Sequence, residues 1–147
     1  MATIPKNQVY SGNLSYVNPA QKWDGSKPVT IDLRESVIEF PTGIFIPAGS
    51  VPTALALHVP NTIDADTATN IGIGTTSSPE KYGSFALTAG DYEQPLDFWG
   101  SPLSADENIV VSATDGAGNQ AGTIGGGGDD YVVVRMGWYQ VLPIFNS

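Results

Sequence analysis

The chain has 147 residues, of which 41% are hydrophobic and 14% charged, with a net charge of −9 from six basic and fifteen acidic residues. That is enough for one domain with a core and too apolar for disorder, while the acidic balance works against nucleic-acid phosphates and anionic lipid. The absence of cysteine excludes disulfides, thiolate catalysis and Cys-based zinc sites.

Residues 1–27 read as an N-terminal arm, and residues 28–147 as one β domain. The stretch Asn7–Gln21 is polar and Asn-rich, broken by Gly12 and Pro19. It carries isolated apolar residues, Val9, Tyr10, Leu14, Tyr16 and Val17, followed by Trp23. No helical or strand period holds. Two readings fit: a strand or two with turns packed on their own domain, or an extended arm whose separate anchors each fill a pocket on a neighbour. Met1–Lys6 has no apolar signal core, so synthesis in a reducing cytosol is expected. No apolar run approaches the roughly 20 residues of a membrane helix.

From Pro28 onward the period is two. Val29, Ile31 and Leu33 alternate with Thr30, Asp32 and Arg34, and a second run, Ser36–Phe40, stops at Pro41. Turns at Pro41-Thr42-Gly43 and Pro47-Ala48-Gly49 are expected to bracket a short Ile44–Ile46 segment. Val51–Val59 is the clearest strand: Val51, Thr53, Leu55, Leu57 and Val59 share one face, with Ala56 and His58 on the other. Pro52 suggests an edge or a strand beginning. Pro60–Thr69 reads as a polar loop. Asn70–Thr75 is a strand spaced by Gly72 and Gly74 and open to close backbone approach.

Ser77–Gly83 has the signals of one helical turn: Ser78 to cap, Pro79 at the first position, Glu80 at the positive end and Gly83 to stop it. Phe85 and Leu87 begin another strand, Ala89-Gly90-Asp91 a turn, and Ile109–Ala113 a β-branched strand. Thr114–Asp130 is a long loop containing Gly125–Gly128. Tyr131–Val141 is the last strand, with Val132, Val134, Met136 and Trp138 on one face. Seven to nine short strands without βαβ alternation predict an all-β antiparallel jelly roll or β-sandwich. Its expected core includes Ile31, Leu33, Leu55, Leu57, Ile71, Ile73, Val110, Val134 and Met136.

Catalytic and metal signals are weak throughout. The lone histidine, His58, falls mid-strand, and no G-x-S-x-G motif accompanies it. Four carboxylate pairs have the right residues for acid–base work: Asp64/Asp66, Asp91/Glu93, Asp106/Glu107 and Asp129/Asp130. All four fall in expected loops or turns, where a solvated acidic surface puts carboxylates anyway. Asp64–Asn70 has the first ligand spacings of a calcium loop, but Thr69 and Thr75 stand where an EF-hand needs Gly and Glu, which leaves only a loose calcium site in a β loop as an alternative. Gly125–Gly128 lacks the Lys-Ser/Thr and the helix of a phosphate cradle. Trp23, Trp99 and Trp138 are candidates for a sugar platform. No catalytic residue, cofactor or metal is expected.

The segment TGIFIPAGSVPTALALHV, followed by NIGIGTTSSPEKYGSFALTAGDY, resembles a family of small tailed-bacteriophage virion proteins over about a third of the chain. Members of that family are capsid decoration or cement proteins: β-sandwich or jelly-roll domains, often trimeric, that clamp neighbouring capsomers. The resemblance implies a non-enzymatic virion protein on the capsid exterior, made in the host cytoplasm. It implies the major capsid protein as partner and a homotrimer as the assembly, with no nucleic acid or membrane. Val9, Tyr10, Tyr16 and Trp23, the isolated anchors of the arm that the resemblance does not cover, are the candidate partner-binding residues. The alternative is a glycan- or receptor-binding β domain of a virion tail or fibre.

Overall fold

The computed structural model describes residues 21–96, 101–128 and 130–141, with Gln21–Asp24 and Val141 described by backbone alone. Of the candidate anchors, Val9, Tyr10 and Tyr16 lie outside the described residues. So do Trp99 and Asp129, and so does the side chain of Trp23.

Eleven strands follow in order: β1 (Gln21–Gly25), β2 (Val29–Asp32), β3 (Glu39–Ile46), β4 (Ser50–Val59), β5 (Ala65–Asp66), β6 (Asn70–Gly74), β7 (Gly83–Ala86), β8 (Gly90–Pro95), β9 (Glu107–Thr114), β10 (Thr123–Ile124) and β11 (Tyr131–Val141). No helix occurs among the described residues. The first sheet runs β1-β11-β4-β8, with β2 pairing the other half of the long β11 beyond β1. The second runs β3-β9-β6-β7, and β5 pairs with β10 in a small separate ladder. All these ladders are antiparallel. The chain changes sheet between β2 and β3, β3 and β4, β4 and β6, β7 and β8, β8 and β9, and β9 and β11. An all-β sandwich of jelly-roll type is therefore the architecture.

The period-two pattern explains which faces meet. Leu55, Leu57 and Val59 from β4 and Val132, Val134, Met136 and Trp138 from β11 turn inward. They join Ile71 and Ile73 from β6, Ile109, Val111 and Ala113 from β9, and Ile44 and Ile46 from β3 in one buried cluster. Every residue of the expected core is buried, although Val110 lies outside the main cluster. β9 is buried on both faces over its last six residues, as a central strand covered on both sides must be.

Several local expectations are corrected. Pro41–Gly43 is not a turn but lies inside β3, where the register against β9 shifts between Pro41 and Phe45. Thr42 holds this bulge from within: its hydroxyl donates to the Ile109 carbonyl at 2.6 Å and accepts from Ile44 N–H at 3.0 Å. β4 is not an edge strand, since β11 and β8 flank it. Pro52 is tolerated near its start because the β4–β11 register shifts there, leaving Thr53 outside the pairing. The helical turn at Ser77–Gly83 does not form. Thr75 and Ser78 exchange backbone bonds instead, Lys81 N–H donates to Ser78 O, and Tyr82 N–H returns to Ile73 O. The capping residues there close a hairpin between β6 and β7, because pairing with β7 satisfies the strand backbone that a helix would orphan. The loops Pro60–Thr69 and Thr114–Asp130 are not wholly irregular; they supply β5 and β10, and Thr114 ends β9.

Close approach at β6 is real. A Cβ on Gly74 would lie 2.2 Å from the Ser78 carbonyl oxygen, so only glycine lets the hairpin fold back onto the strand.

Candidate functional site

The carboxylates set the character of the surface, and several of those singled out from the sequence are engaged within the fold. Asp106 accepts from Ala48 N–H at 2.8 Å and so ties the β3–β4 corner. Glu107, at the start of β9, takes the Lys81 ammonium and the Tyr82 hydroxyl together. Burial, and then this carboxylate, hold the Tyr82 phenol well above its ordinary pKa. Asp130, 8% exposed, accepts from Gly127 N–H at 3.1 Å and Asp64 N–H at 3.3 Å, so it anchors the glycine run to the loop after β4. Asp91 bonds His58 directly across the β4–β8 pair. The expectation that all four carboxylate pairs sit in loops or turns is corrected: Asp66 lies in β5, Asp91 and Glu93 in β8, and Glu107 in β9.

Two further carboxylates do the same work: Glu80, expected at the start of a helical turn, and Asp115. Glu80 accepts from Gly116 N–H at 2.9 Å and Gly118 N–H at 2.6 Å, and from the Ser84 hydroxyl at 3.0 Å. The alternating glycines of Asp115-Gly116-Ala117-Gly118-Asn119 turn their N–H groups into a concave anion seat, and this chain fills it with its own side chain. Asp115 accepts from Ala117 N–H at 2.7 Å and Asn119 N–H at 3.2 Å. Those bonds, the Ala117 one foremost, lower its carboxyl below the ordinary value of 3.8. The Arg34 guanidinium likewise lowers exposed Asp32. The sequence signal was the pairing of Asx with spaced glycines, which reads as a loop without showing what the loop holds.

The remaining candidates resolve simply. His58 stands on the outward face of the first sheet, about half exposed, as a cross-strand partner of Asp91. No group of three or more His, Cys, Asp or Glu able to hold a metal occurs among the described residues. In the candidate calcium loop, Asp64 N–H is bound to Asp130 and Ala68 is buried. Trp138 is 6% exposed in the core, which removes it from any sugar platform. In the glycine run, Gly125 packs on Leu33: a Cβ there would lie 2.4 Å from the Leu33 carbonyl oxygen, at a φ of +93°.

The outward face of the first sheet carries a concavity. Gly25, Gly137, Ala54 and Pro95 lie side by side across β1, β11, β4 and β8. None of them projects a long side chain, so they floor an open groove of about 580 Å3. Along one side, the next outward row places Arg135 on β11 and Glu93 on β8, with Ala56 between them. On the other side the outward-facing pair Val51 and Tyr139 is 3% and 5% exposed, and it lies outside the main core cluster. β1 borders this end too, with Trp23 paired to Tyr139. The last part of the expected arm thus forms an edge strand of the sheet, and its preceding chain leaves from the Gln21–Val141 end.

Comparison of the sequence with protein-family models and with curated proteins gives no match. Among solved structures the chain is similar to one in the capsid of Ralstonia phage GP4, at 14% identity and a TM-score of 0.48, over 80% of this chain and 84% of that one. It is also similar to a chain in the acidic stable capsid structure of Helicobacter pylori bacteriophage KHP30, at 12% identity and a TM-score of 0.38, over 81% and 92%. At these identities and scores the fold assignment rests on the strand pairing above and not on the overlaps.

Proposed function

We propose that the chain is a non-enzymatic structural protein of a phage virion, a decoration or cement protein that binds the capsid exterior and bridges capsomers. The observation that carries this reading is the use of its carboxylates: Glu80, Asp106, Glu107, Asp115 and Asp130 hold loops and hairpins in place instead of converging on a cavity. Such loops are rigid presentation surfaces, and binding with them costs little ordering entropy. The sequence resemblance at residues 42–92 supplies the virion context. In this reading the partner is the major capsid protein and the assembly a homotrimer. Val9, Tyr10, Tyr16 and Trp23 are the docking anchors, and the protein is made in the host cytoplasm before it joins the particle.

The test is binding to purified phage shells with and without residues 1–20. Removal of that segment leaves β1 and the sandwich intact and abolishes binding. A truncated protein that still decorates shells with full affinity moves the contact to the pinned loops, the 114–130 excursion first.

A further inference from the structure

We infer that the groove on the outward face of the first sheet receives the N-terminal segment, residues 1–20, of a second copy of this chain. The inference deepens the docking role given to that segment, but it does not depend on the virion setting.

Charge is the first ground. All fifteen acidic residues of the chain lie at or beyond Asp24, while residues 1–21 hold one charged side chain, Lys6. From the chain's −9, that segment contributes +1 and the remainder −10. An acid-free segment meets a body of net charge −10, while at the groove itself Glu93 is offset by Arg135 across Ala56. The attraction is electrostatic and orients the encounter more than it sets affinity.

The shape of the floor is the second ground. Its row of Gly25, Gly137, Ala54 and Pro95 lets a main chain come close, and separate large side chains such as Tyr10 and Tyr16 can seat around it. The surface is continuous with Val51 and Tyr139, which face outward yet are buried.

Direction selects the second copy over the same one. β1 runs from Gln21, opposite Val141, to Gly25, opposite Gly137 at the groove. The segment before Gln21 is therefore joined at the end of β1 that lies away from its own groove. A segment joined at that end reaches its own groove only by turning back along the sheet, and a neighbour's without doing so. Twenty residues span up to about 66 Å when extended, ample for that reach. Donor segment and acceptor groove are different surfaces, so the contact is heterologous and closes into a ring such as a trimer when the rotation permits.

Two measurements on the full chain test this, without shells. In the first, Ala54→Cys, the sole thiol of an otherwise cysteine-free chain, carries a photo-crosslinker and is mixed with isotopically heavy wild-type protein. The expected product joins the light groove peptide to a heavy peptide from residues 1–20. Cross-links confined to the light chain, cross-links only to peptides beyond residue 21, or no cross-link to the heavy chain overturn the inference. In the second, Ala54→Lys sets a cation in the groove at an exposed position that the fold tolerates. Self-association should weaken by roughly tenfold or more, as loss of a central contact does, with an unchanged circular-dichroism spectrum and melting temperature. Unchanged self-association, or a wild-type chain monomeric at micromolar concentration, contradicts it. Groove cross-linking in a protein that never binds shells would keep this inference and end the virion reading.

Discussion

At the scale of single residues, this protein uses carboxylates as staples, and the consequences are measurable. Asp130 is buried and accepts two backbone N–H groups from different loops. Asp130→Ala orphans both donors and should cost about 1–3 kcal/mol, read as a fall in the urea midpoint. An unchanged midpoint would show that the staple is dispensable. Gly125→Ala should cost at least as much, because it meets the Leu33 carbonyl and a left-handed backbone together. Two pH dependences follow with opposite sign. The Asp115 carboxyl is lowered in the folded state, chiefly by the Ala117 N–H. Its contribution is therefore complete above the unfolded pKa and is lost as pH falls through the folded one. An NMR titration should place its midpoint below 3.8, with faster exchange of the Ala117 and Asn119 amides beneath it. Tyr82 is raised, by burial and then by Glu107, so its contribution is complete below pH 10.0 and declines as pH rises beyond. Ultraviolet titration should find this phenol un-ionised until the protein unfolds in alkali. A phenol titrating at the ordinary value in the folded protein would contradict the buried Tyr82–Glu107 bond.

At the scale of elements, β4 and β11 hold the sandwich together. Leu57 is 1% exposed, lies opposite Val134 on β11 and Tyr92 on β8, and faces the second sheet. Leu57→Ala should cost about 2–5 kcal/mol, measured by chemical unfolding. A loss below 1 kcal/mol, taking about that as the cost of a site able to collapse, would place Leu57 outside the load of the core. These two strands were also the most legible in the sequence, although the register shift beside Gly137 and Trp138 turns Val51 off the face of Leu55, Leu57 and Val59 that the alternation had assigned it. Legibility failed where two structures satisfy the same residues. Ser78, Pro79 and Glu80 suit the start of a helix, yet tertiary pairing of β6 with β7 claimed the segment, and Glu80 went to Gly116 and Gly118. Pro41-Thr42-Gly43 looks like a turn because a bulge held by a buried threonine uses the same residue types. The two-residue strands β5 and β10 carry no period at all. The groove was invisible in sequence for a different reason: its floor draws one residue from each of four strands, and only the register of β1, β11, β4 and β8 brings them into a row.

At the scale of the whole molecule, an acidic sandwich carries an acid-free N-terminal segment. Residues 1–20 are predicted to be dispensable for folding and required for assembly. The truncated chain should keep a β-type far-UV spectrum and a single cooperative unfolding transition while losing shell binding. Loss of the folded state on truncation would make the segment part of the core. The most direct test of the central claim is quantitative mass spectrometry of purified phage particles from the cells in which this chain is made. The account predicts that it co-purifies with intact particles in many copies, at a fixed ratio to the major shell protein, and is accessible to protease from outside. Its absence from the particles, or its presence only in the soluble fraction of the lysate, would contradict the account.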